Sequence, residues 1–190
     1  ESENKMVGKI ILASSSPRRA DIMKRTKIKF EIMPSPYVEE HTTTAFSYEF
    51  IENLAYNKAK AIVTDEPAII IGADTVVVLD NEILGKPEGR NGAFEMLKKL
   101  SGKTHQVVTS IVVINSETGE VKKNSTTSHV TFENLIDEQI NYYIDNFKPF
   151  DKAGSYGIQE MPEGYIKSYT GDLENIIGMS SKSLLQLLKD

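Results

Sequence analysis

The chain of 190 residues contains no cysteine, and this absence excludes whole classes of chemistry. It rules out disulfide bonds, thiol nucleophiles and every zinc or iron–sulfur site that depends on cysteine ligands. A reducing compartment is therefore permitted, and we expect a cytoplasmic protein. No apolar run reaches the roughly 20 residues of a membrane span, and there is no signal-peptide pattern. We therefore expect no membrane association.

Excess positive charge and familiar catalytic motifs are missing as well. The formal net charge is −5 at pH 7, so we expect no stable binding of nucleic acid. The phosphate-loop pattern G-x-x-x-x-G-K-[ST] does not occur, and neither do G-x-S-x-G and H-E-x-x-H. The three histidines lack a metal-ligand spacing, and we expect His105 to orient a loop or cap a strand.

The composition that remains is that of an ordinary globular protein, with 39% hydrophobic and 26% charged residues. We predict one domain over residues 1–190. Residues 1–5 are expected to be a frayed end, or an added segment that takes no part in the fold. Apolar runs alternate with amphipathic segments, which predicts an α/β fold with a mixed sheet. The predicted strands span residues 9–13, 30–33, 68–79, 83–84, 106–115 and 121–133. One helix is predicted to begin at Pro17. Further helices are predicted over residues 45–64, 91–100, 137–147 and 181–189. Residues 151–159 are expected to form a loop or short strand, and residues 164–178 to contain a further turn.

One carboxylate lies in the most apolar segment of the chain. The run AIIIGADTVVVLD, residues 68–80, is typical of a strand buried on both faces, and Asp74 is in its middle. An isolated ion in such a place is costly unless a cation compensates it. We therefore expect a partner for Asp74, which is either a metal that serves chemistry or a lysine in a structural ion pair.

Two lysines also occupy unusual positions. Lys58 shares the apolar face of its helix with Ile51 and Ile62, so its ammonium either reaches past the core to water or meets an anion. Lys86 lies in the segment GKP, between a glycine and a proline, which together favour a defined turn. This setting fits a phosphate contact, and it also fits an ordinary surface turn.

The motif SSSPRR places a strand end, a serine cluster and a helix N-terminus together. Ser16 suits the N-cap and Pro17 suits the first helical position. Arg18 and Arg19 follow in the first turn, where cations oppose the helix dipole unless an anion binds. Arginine is suited to bidentate contacts with phosphate. The motif is therefore a candidate phosphate site, and the alternative is an ordinary cap followed by solvated arginines.

Carboxylates complete the set of candidate residues. Glu39 and Glu40 follow a proline-rich extended segment, and either one could face a site with Asp74 or belong to a solvated acidic loop. Mg²⁺ usually takes one or two protein carboxylates and completes its shell with water and substrate phosphates. Cations for phosphates, carboxylates for a divalent metal and a helix N-terminus together predict a site for a nucleoside polyphosphate.

At these residues the sequence resembles the Maf family of nucleoside triphosphate pyrophosphatases. The matching segments, in the family's order between residues 10 and 160, are ILASSSPRR, VEE, KAKA, GADTVV, GKP, LSGKTHQVVTS and DKAGSYGIQ. The resemblance implies an elongated mixed sheet flanked by helices, similar to inosine triphosphatase, with a cleft between two lobes and often a homodimer. It also implies hydrolysis of a nucleoside triphosphate to the monophosphate and pyrophosphate with a divalent cation, Mg²⁺ or Mn²⁺.

The resemblance further implies roles for individual residues. Asp74 looks like the catalytic acid–base residue, Glu39 would assist with the metal, and Lys58 and Lys86 would contact the phosphates. The implied metal ligands are Asp74 with Glu39 or Glu40. The implied substrate-binding residues are Ser14, Arg18, Arg19, Thr75 and Gln159. Of these, the combination Arg18, Thr75 and Gln159 is similar to the branch acting on dTTP and UTP, rather than the branch preferring 7-methyl-GTP.

Two positions depart from the family pattern. Glu160 follows Gln159 where the family usually has glycine, which is expected to alter the loop beside a specificity residue. Ser180 replaces a proline near the C-terminus, and we expect Ser180 or Ser181 to cap the last helix instead.

Two further functions compete with the pyrophosphatase. A non-hydrolytic nucleotide-binding regulator of cell division would keep the basic residues but has no need of Asp74, so the intact carboxylates favour the enzyme. A single-stranded nucleic-acid binder would use Arg18 and Arg19, but the net charge and the scattered aromatic residues speak against it.

Overall fold

The computed structural model describes residues 8–39 and 45–189, so Glu40 and the predicted frayed end at residues 1–5 lie outside the described residues. A mixed sheet flanked by helices runs through the described chain, as the α/β prediction requires. Its strands are β1 (Lys9–Leu12), β2 (Glu31–Ile32), β3 (Ala68–Leu79), β4 (Glu82–Leu84), β5 (Thr104–Asn115), β6 (Val121–Phe132) and β7 (Ile166–Thr170). The helices are α1 (Pro17–Arg25), α2 (Tyr48–Lys60), α3 (Gly89–Leu100), α4 (Asp137–Phe147), α5 (Leu173–Ile177) and α6 (Ser181–Lys189), with a short 3₁₀ turn at Ala153–Ser155. No described helix combines the length and the apolarity that crossing a membrane requires.

The sheet leaves a gap beside its central strand. The strand order is β2-β1-β3-β5-β6-β7, and β5 pairs with β3 along most of its length. On the other edge of β3, parallel β1 pairs only as far as Ile71, and antiparallel β4 begins to pair at Val77. Between these two points, no strand of the described chain covers residues 72–76 of β3. A cleft opens at this gap.

The two faces of β3 pack against different helices, because side chains alternate along a strand. Odd-numbered residues such as Ile71 and Val77 face α1 and α6 near the start of the strand, and α3 and α4 near its end. Even-numbered residues such as Ile70 and Val76 face α2. The strand is therefore buried on both faces, as predicted, and Asp74 lies on the face that α2 covers.

Helix α2 is shorter than the predicted span of residues 45–64. Ser47 caps it, since its hydroxyl accepts a hydrogen bond from the backbone N–H of Phe50, and Ala45 instead forms an isolated bridge with Glu82. At the other end the helix stops at Lys60. Over its actual length, Ile51 is fully buried, so the predicted apolar face is confirmed.

The C-terminal segment holds more regular structure than the predicted turn at residues 164–178. Strand β7 pairs with the edge of β6, and helix α5 follows after the capping residue Asp172. Most of β7 is exposed, so the sequence carries no apolar alternation that marks it as a strand. The predicted cap of the last helix is confirmed, because the Ser180 hydroxyl accepts from the backbone N–H of Ser183.

Candidate active site

The cleft at the gap beside β3 contains the candidate site residues that were predicted from the sequence. It is bordered by the start of α1, by α2, by the turn after β4 and by residues 151–160. Every predicted site residue within the described chain lines it: Ser14, Arg18, Arg19, Glu39, Lys58, Asp74, Thr75, Lys86 and Gln159. The predicted metal ligand Glu40 lies outside the described residues.

Close packing of α2 on β3 brings Lys58 to Asp74. Gly72 lies at the contact, where an added Cβ would be 2.4 Å from the carbonyl oxygen of Ala55 and 2.9 Å from Cβ of Ala59. Any side chain at this position would push the helix away from the strand. Because Lys58 precedes Ala59 and Asp74 lies two residues beyond Gly72 on the same strand face, the two charges meet.

The Lys58 ammonium is shared by two carboxylates. It donates to Oδ1 of Asp74 at 2.5 Å and lies 3.0 Å from Oε1 of Glu39. The predicted partner of the buried carboxylate is thus a lysine, and the lysine on the apolar helix face meets an anion. Oδ2 of Asp74 receives no hydrogen bond from any described residue, so it is the oxygen available to a water molecule or a substrate.

Burial dominates the electrostatics of Asp74, which is 8% exposed. Loss of solvent raises the pKa of this carboxyl above its ordinary value, whereas the charge of Lys58 and, more weakly, that of Arg19 lower it. The nearby charge of Glu39 adds a smaller upward contribution. A carboxylate balanced between burial and cations can both accept and hold a proton, which suits acid–base chemistry.

Asp74 and Glu39 can supply two carboxylates to a divalent cation, so they suit a cation that takes its other ligands from water or substrate. Asp74 and Glu39 converge on one ammonium, so both can approach a common cation. Within residues 8–39 and 45–189, no group of three or more histidine and acidic side chains converges as a metal cage. Two hard oxygen donors suit Mg²⁺ or Mn²⁺ completed by water and phosphate oxygens.

Arg19 is tied to the protein rather than to open solvent. Its Nε donates to the carbonyl oxygen of Gly178 at 2.9 Å, Nη2 donates to Oγ1 of Thr75 at 2.9 Å, and Nη1 donates to Oγ of Ser14 at 3.4 Å. These bonds, together with the nearby charges of Asp74 and Glu39, stabilise this arginine in the first turn of α1. Arg18 is half-buried, lines the cleft and makes no hydrogen bond with the described residues, so it is the arginine left to meet a ligand.

The Thr75 hydroxyl is equally committed within the protein. Besides accepting from Arg19, it forms a hydrogen bond of 2.7 Å with the hydroxyl of Thr109 and lies 3.2 Å from the carbonyl oxygen of Gly178. Because β3 alternates, Thr75 faces α1 and α5 while the adjacent Asp74 faces α2. The gap beside β3 exposes both residues to the cleft.

The opposite wall carries exposed side chains. Lys86 is exposed in the turn after β4, and this turn is fixed where the carbonyl oxygen of Gly85 accepts from the N–H of Gly154. Gln159 is exposed in the segment that follows the 3₁₀ turn. The predicted loop at residues 151–159 is thus confirmed in outline, with one helical turn inside it.

Two further residues shape this wall. His105, in β5, is buried and shares a hydrogen bond of 2.7 Å with the hydroxyl of Tyr156, which lines the cleft, so it orients a loop as predicted. Lys152 also lines the cleft, although its side chain is buried, and the sequence analysis missed it. A lone lysine in a glycine-rich segment is typical of a solvated loop, so nothing in the sequence marked its burial.

The profile described as Maf-like protein matches residues 9–190, so this chain belongs to the Maf family. Among its relatives, a dTTP/UTP pyrophosphatase of Thermosipho africanus is 43% identical over 182 residues, which are 96% of this chain and 93% of the relative. A dTTP/UTP pyrophosphatase of Clostridium botulinum is 40% identical and covers 96% of this chain and 98% of its own length. A dTTP/UTP pyrophosphatase of Thermotoga maritima is 42% identical over 95% of this chain and 88% of its own length.

Proposed function

We propose that this chain is a nucleoside triphosphate pyrophosphatase that hydrolyses dTTP and UTP to the monophosphate and pyrophosphate with a divalent metal. The observation that carries the proposal is the buried carboxylate of Asp74, which faces a cleft lined by cations. The names of the relatives support the reaction and the choice of pyrimidine nucleotides. Modified pyrimidine nucleotides are further candidate substrates.

The cations bind and orient the triphosphate. Arg18 and Lys86 line the cleft and form no ion pair with the described residues, although the charges of Arg18 and Asp151 lie close enough to interact. Both cations therefore remain for a triphosphate. Lys58 already holds Asp74 and Glu39, and it also offers its ammonium to a phosphate oxygen of the bound substrate. Together these groups stabilise the negative charge that spreads toward the pyrophosphate leaving group.

Asp74 accepts the proton of the attacking water. Its Oδ1 is held by Lys58, which fixes the carboxylate plane and leaves Oδ2 for a water molecule beside the α-phosphorus. Lys58 also favours the ionised form that a base requires, while burial raises the affinity of the carboxylate for the proton it takes.

A divalent metal, Mg²⁺ or Mn²⁺, neutralises phosphate oxygens when it is bound. Asp74 and Glu39 are the described residues that would hold it, with Glu40 as a further candidate. Arg18, Thr75 and Gln159 are proposed to select the base, and Ser14 and Arg19 are proposed to bind the substrate with them. The single domain over residues 1–190, a homodimer, the lack of nucleic-acid binding and a cytoplasmic location also remain predictions.

The decisive experiment measures pyrophosphate release from a panel of nucleoside triphosphates with Mg²⁺ or Mn²⁺. We expect dTTP and UTP to be cleaved fastest, with the monophosphate and pyrophosphate formed in equal amounts. Tight binding of nucleotides without any cleavage would contradict the proposal and favour a nucleotide-binding regulator. Release of single phosphate would contradict attack at the α-phosphorus.

A further inference from the structure

A reverse turn at residues 157–160 presents Gln159 to the cleft. The backbone N–H of Glu160 donates to the carbonyl oxygen of Gly157 at 3.0 Å and closes the turn. Gln159 is the third residue of the turn, and it is exposed and lines the cleft. Its direction therefore depends on how the first and fourth residues of the turn are held.

One buried hydroxyl holds both ends of this turn. Tyr143, in α4, is fully buried, and its hydroxyl oxygen accepts a hydrogen bond of 3.0 Å from the backbone N–H of Gly157. The same hydroxyl donates to Oε2 of Glu160 at 3.4 Å. Burial raises the pKa of Tyr143, so the hydroxyl keeps the proton that it donates.

Lys152 supports the turn from beneath. The side chain of Lys152 is 10% exposed, and its ammonium lies 3.6 Å from Oε2 of Glu160 and 3.2 Å from Oδ1 of Asp151. The stem of the lysine runs directly under Gly157, where an added Cβ would be 2.9 Å from Cε of Lys152. The turn is thus fixed by hydrogen bonds, an ion pair and a close contact at the same two residues.

We propose that Tyr143, Lys152 and Glu160 form a latch that holds Gln159 in the orientation from which it reads the nucleotide base. These three are positioning residues for base selectivity, because their hydrogen bonds and ion pair hold the turn that carries Gln159. The inference rests on the proposed function, in which Gln159 takes part in selecting the pyrimidine.

The test measures selectivity rather than activity alone. Tyr143→Phe keeps the buried ring and removes the hydroxyl, and Glu160→Gln removes the charge that pairs with Lys152. We expect the ratio of kcat/KM for dTTP to kcat/KM for dCTP to fall by about three- to tenfold in each variant, mainly through KM for dTTP. Because both nucleotides are tested on the same preparation, a general loss of folded protein cancels in the ratio.

Two matched controls separate positioning from stability. Tyr165→Phe keeps the ring that lies 6.5 Å from the ring of Tyr143 and removes a hydroxyl whose bond, to the carbonyl oxygen of Gln139, does not involve the turn. Glu163→Gln makes the same charge change at an exposed residue that has no hydrogen bond or ion pair with the described chain. Both controls should keep the wild-type ratio, even where Tyr165→Phe lowers the melting temperature.

A double-mutant cycle with Gln159→Ala completes the test. If the latch acts through Gln159, then Tyr143→Phe changes the ratio in the wild type and has no further effect in the Gln159→Ala background. An unchanged ratio in Tyr143→Phe and Glu160→Gln, an unchanged ratio in Gln159→Ala, or additive changes would each overturn the proposal. Dissociation constants for α,β-imido analogues of dTTP and dCTP give the same ratio without turnover. A chain that binds but does not cleave therefore fails the proposed function and still tests the latch.

Discussion

Asp74 and His105 are both buried titratable groups in neighbouring strands, and their surroundings differ. Asp74 lies in β3 at the gap beside that strand, and the ammonium of Lys58 contacts its carboxylate. His105 lies in β5 within the core, where its ring meets the edges of Phe132 and Tyr156 at centroid distances of 5.3 and 5.4 Å. Its Nδ1 has no hydrogen-bond partner in the described chain.

Burial acts on both groups in the same way and gives opposite results. Loss of solvent favours the neutral form, so it raises the pKa of Asp74 and lowers that of His105 to about 4. At Asp74 a cation opposes this effect and keeps a charge available. At His105 no cation or anion of the described chain opposes it, and the ring stays neutral. The partner of a buried ionisable group, more than its burial, therefore separates a reactive site from a structural one.

The largest expected effect is the loss of turnover in Asp74→Asn. We expect kcat to fall by about 10²- to 10⁴-fold, the usual contribution of a general base, while the fold is retained because the amide carries no buried charge. Pyrophosphate release and thermal unfolding of the same preparation provide the measurement. A variant with wild-type turnover would place Asp74 in the same structural class as His105.

A pair of variants tests whether charged partners tune Asp74. Lys58→Met removes the main contribution that lowers the pKa of Asp74, so the acid limb of the kcat/KM profile should move to higher pH, with a lower maximum. Glu39→Gln removes a contribution that raises this pKa, so the limb should move to lower pH. Lys60→Met, at an exposed residue of the same helix, is the control and should leave the limb in place. Shifts in the same direction would contradict the tuning.

For His105, the expected effect is on stability at low pH. The unfolded chain binds a proton with the ordinary histidine pKa of 6.5, whereas folded His105 binds it only with a pKa of about 4. Acid therefore favours the unfolded state, and the free energy of unfolding should fall by about 2 kcal/mol between about pH 7.5 and about pH 5 on this account alone. Urea unfolding at both pH values measures the effect.

Two substitutions identify the source of this acid sensitivity. His105→Gln should be less stable at neutral pH but should lose about 2 kcal/mol less than the wild type on acidification. His129→Gln, at an exposed histidine of β6, removes the smaller contribution that also lowers the pKa of His105, so it should keep most of the wild-type loss. An equal loss in all three proteins would assign the acid sensitivity to other groups.

The smallest expected effect concerns Lys86, a charge that is neither buried nor paired. Because its ammonium is solvated, Lys86→Gln should raise KM by about two- to fivefold with little change in kcat, and salt should diminish the difference. Lys99→Gln, at an exposed lysine of α3 that does not line the cleft, is the matched control. A large loss of kcat would show that Lys86 acts on the transition state.

Local rules predicted much of the fold and most of the residues that line the cleft. The apolar run of β3, the cap at Ser16 and the misplaced charges of Asp74 and Lys58 each follow from short stretches of sequence. Which partner compensates Asp74 did not follow, because the answer depends on the approach of α2 at Gly72. A contact between a helix and a strand is a property of packing, and no spacing in the sequence encodes its distance.

Long-range ties escaped prediction for the same reason. Arg19 is still predicted to bind substrate, but the bonds from its guanidinium to Gly178 and Thr75 were not foreseen, because only the folded chain brings those residues together. Lys152 was overlooked because its burial results from the turn that lies above it.

The bond from Arg19 to Gly178 has a consequence for biosynthesis. It joins the first helix to a carbonyl near the end of the chain, and nearby Asn175 of α5 is anchored to β5 through the carbonyl oxygen of Val107. A nascent polypeptide that still lacks this last segment has already made Asp74, Lys58 and both arginines, but Arg19 has not yet received its carbonyl acceptor. The wall of the cleft is therefore completed only after residues 172–178 have been synthesised and have packed against β5, so a nascent chain that ends before them carries the charged side chains without the finished wall.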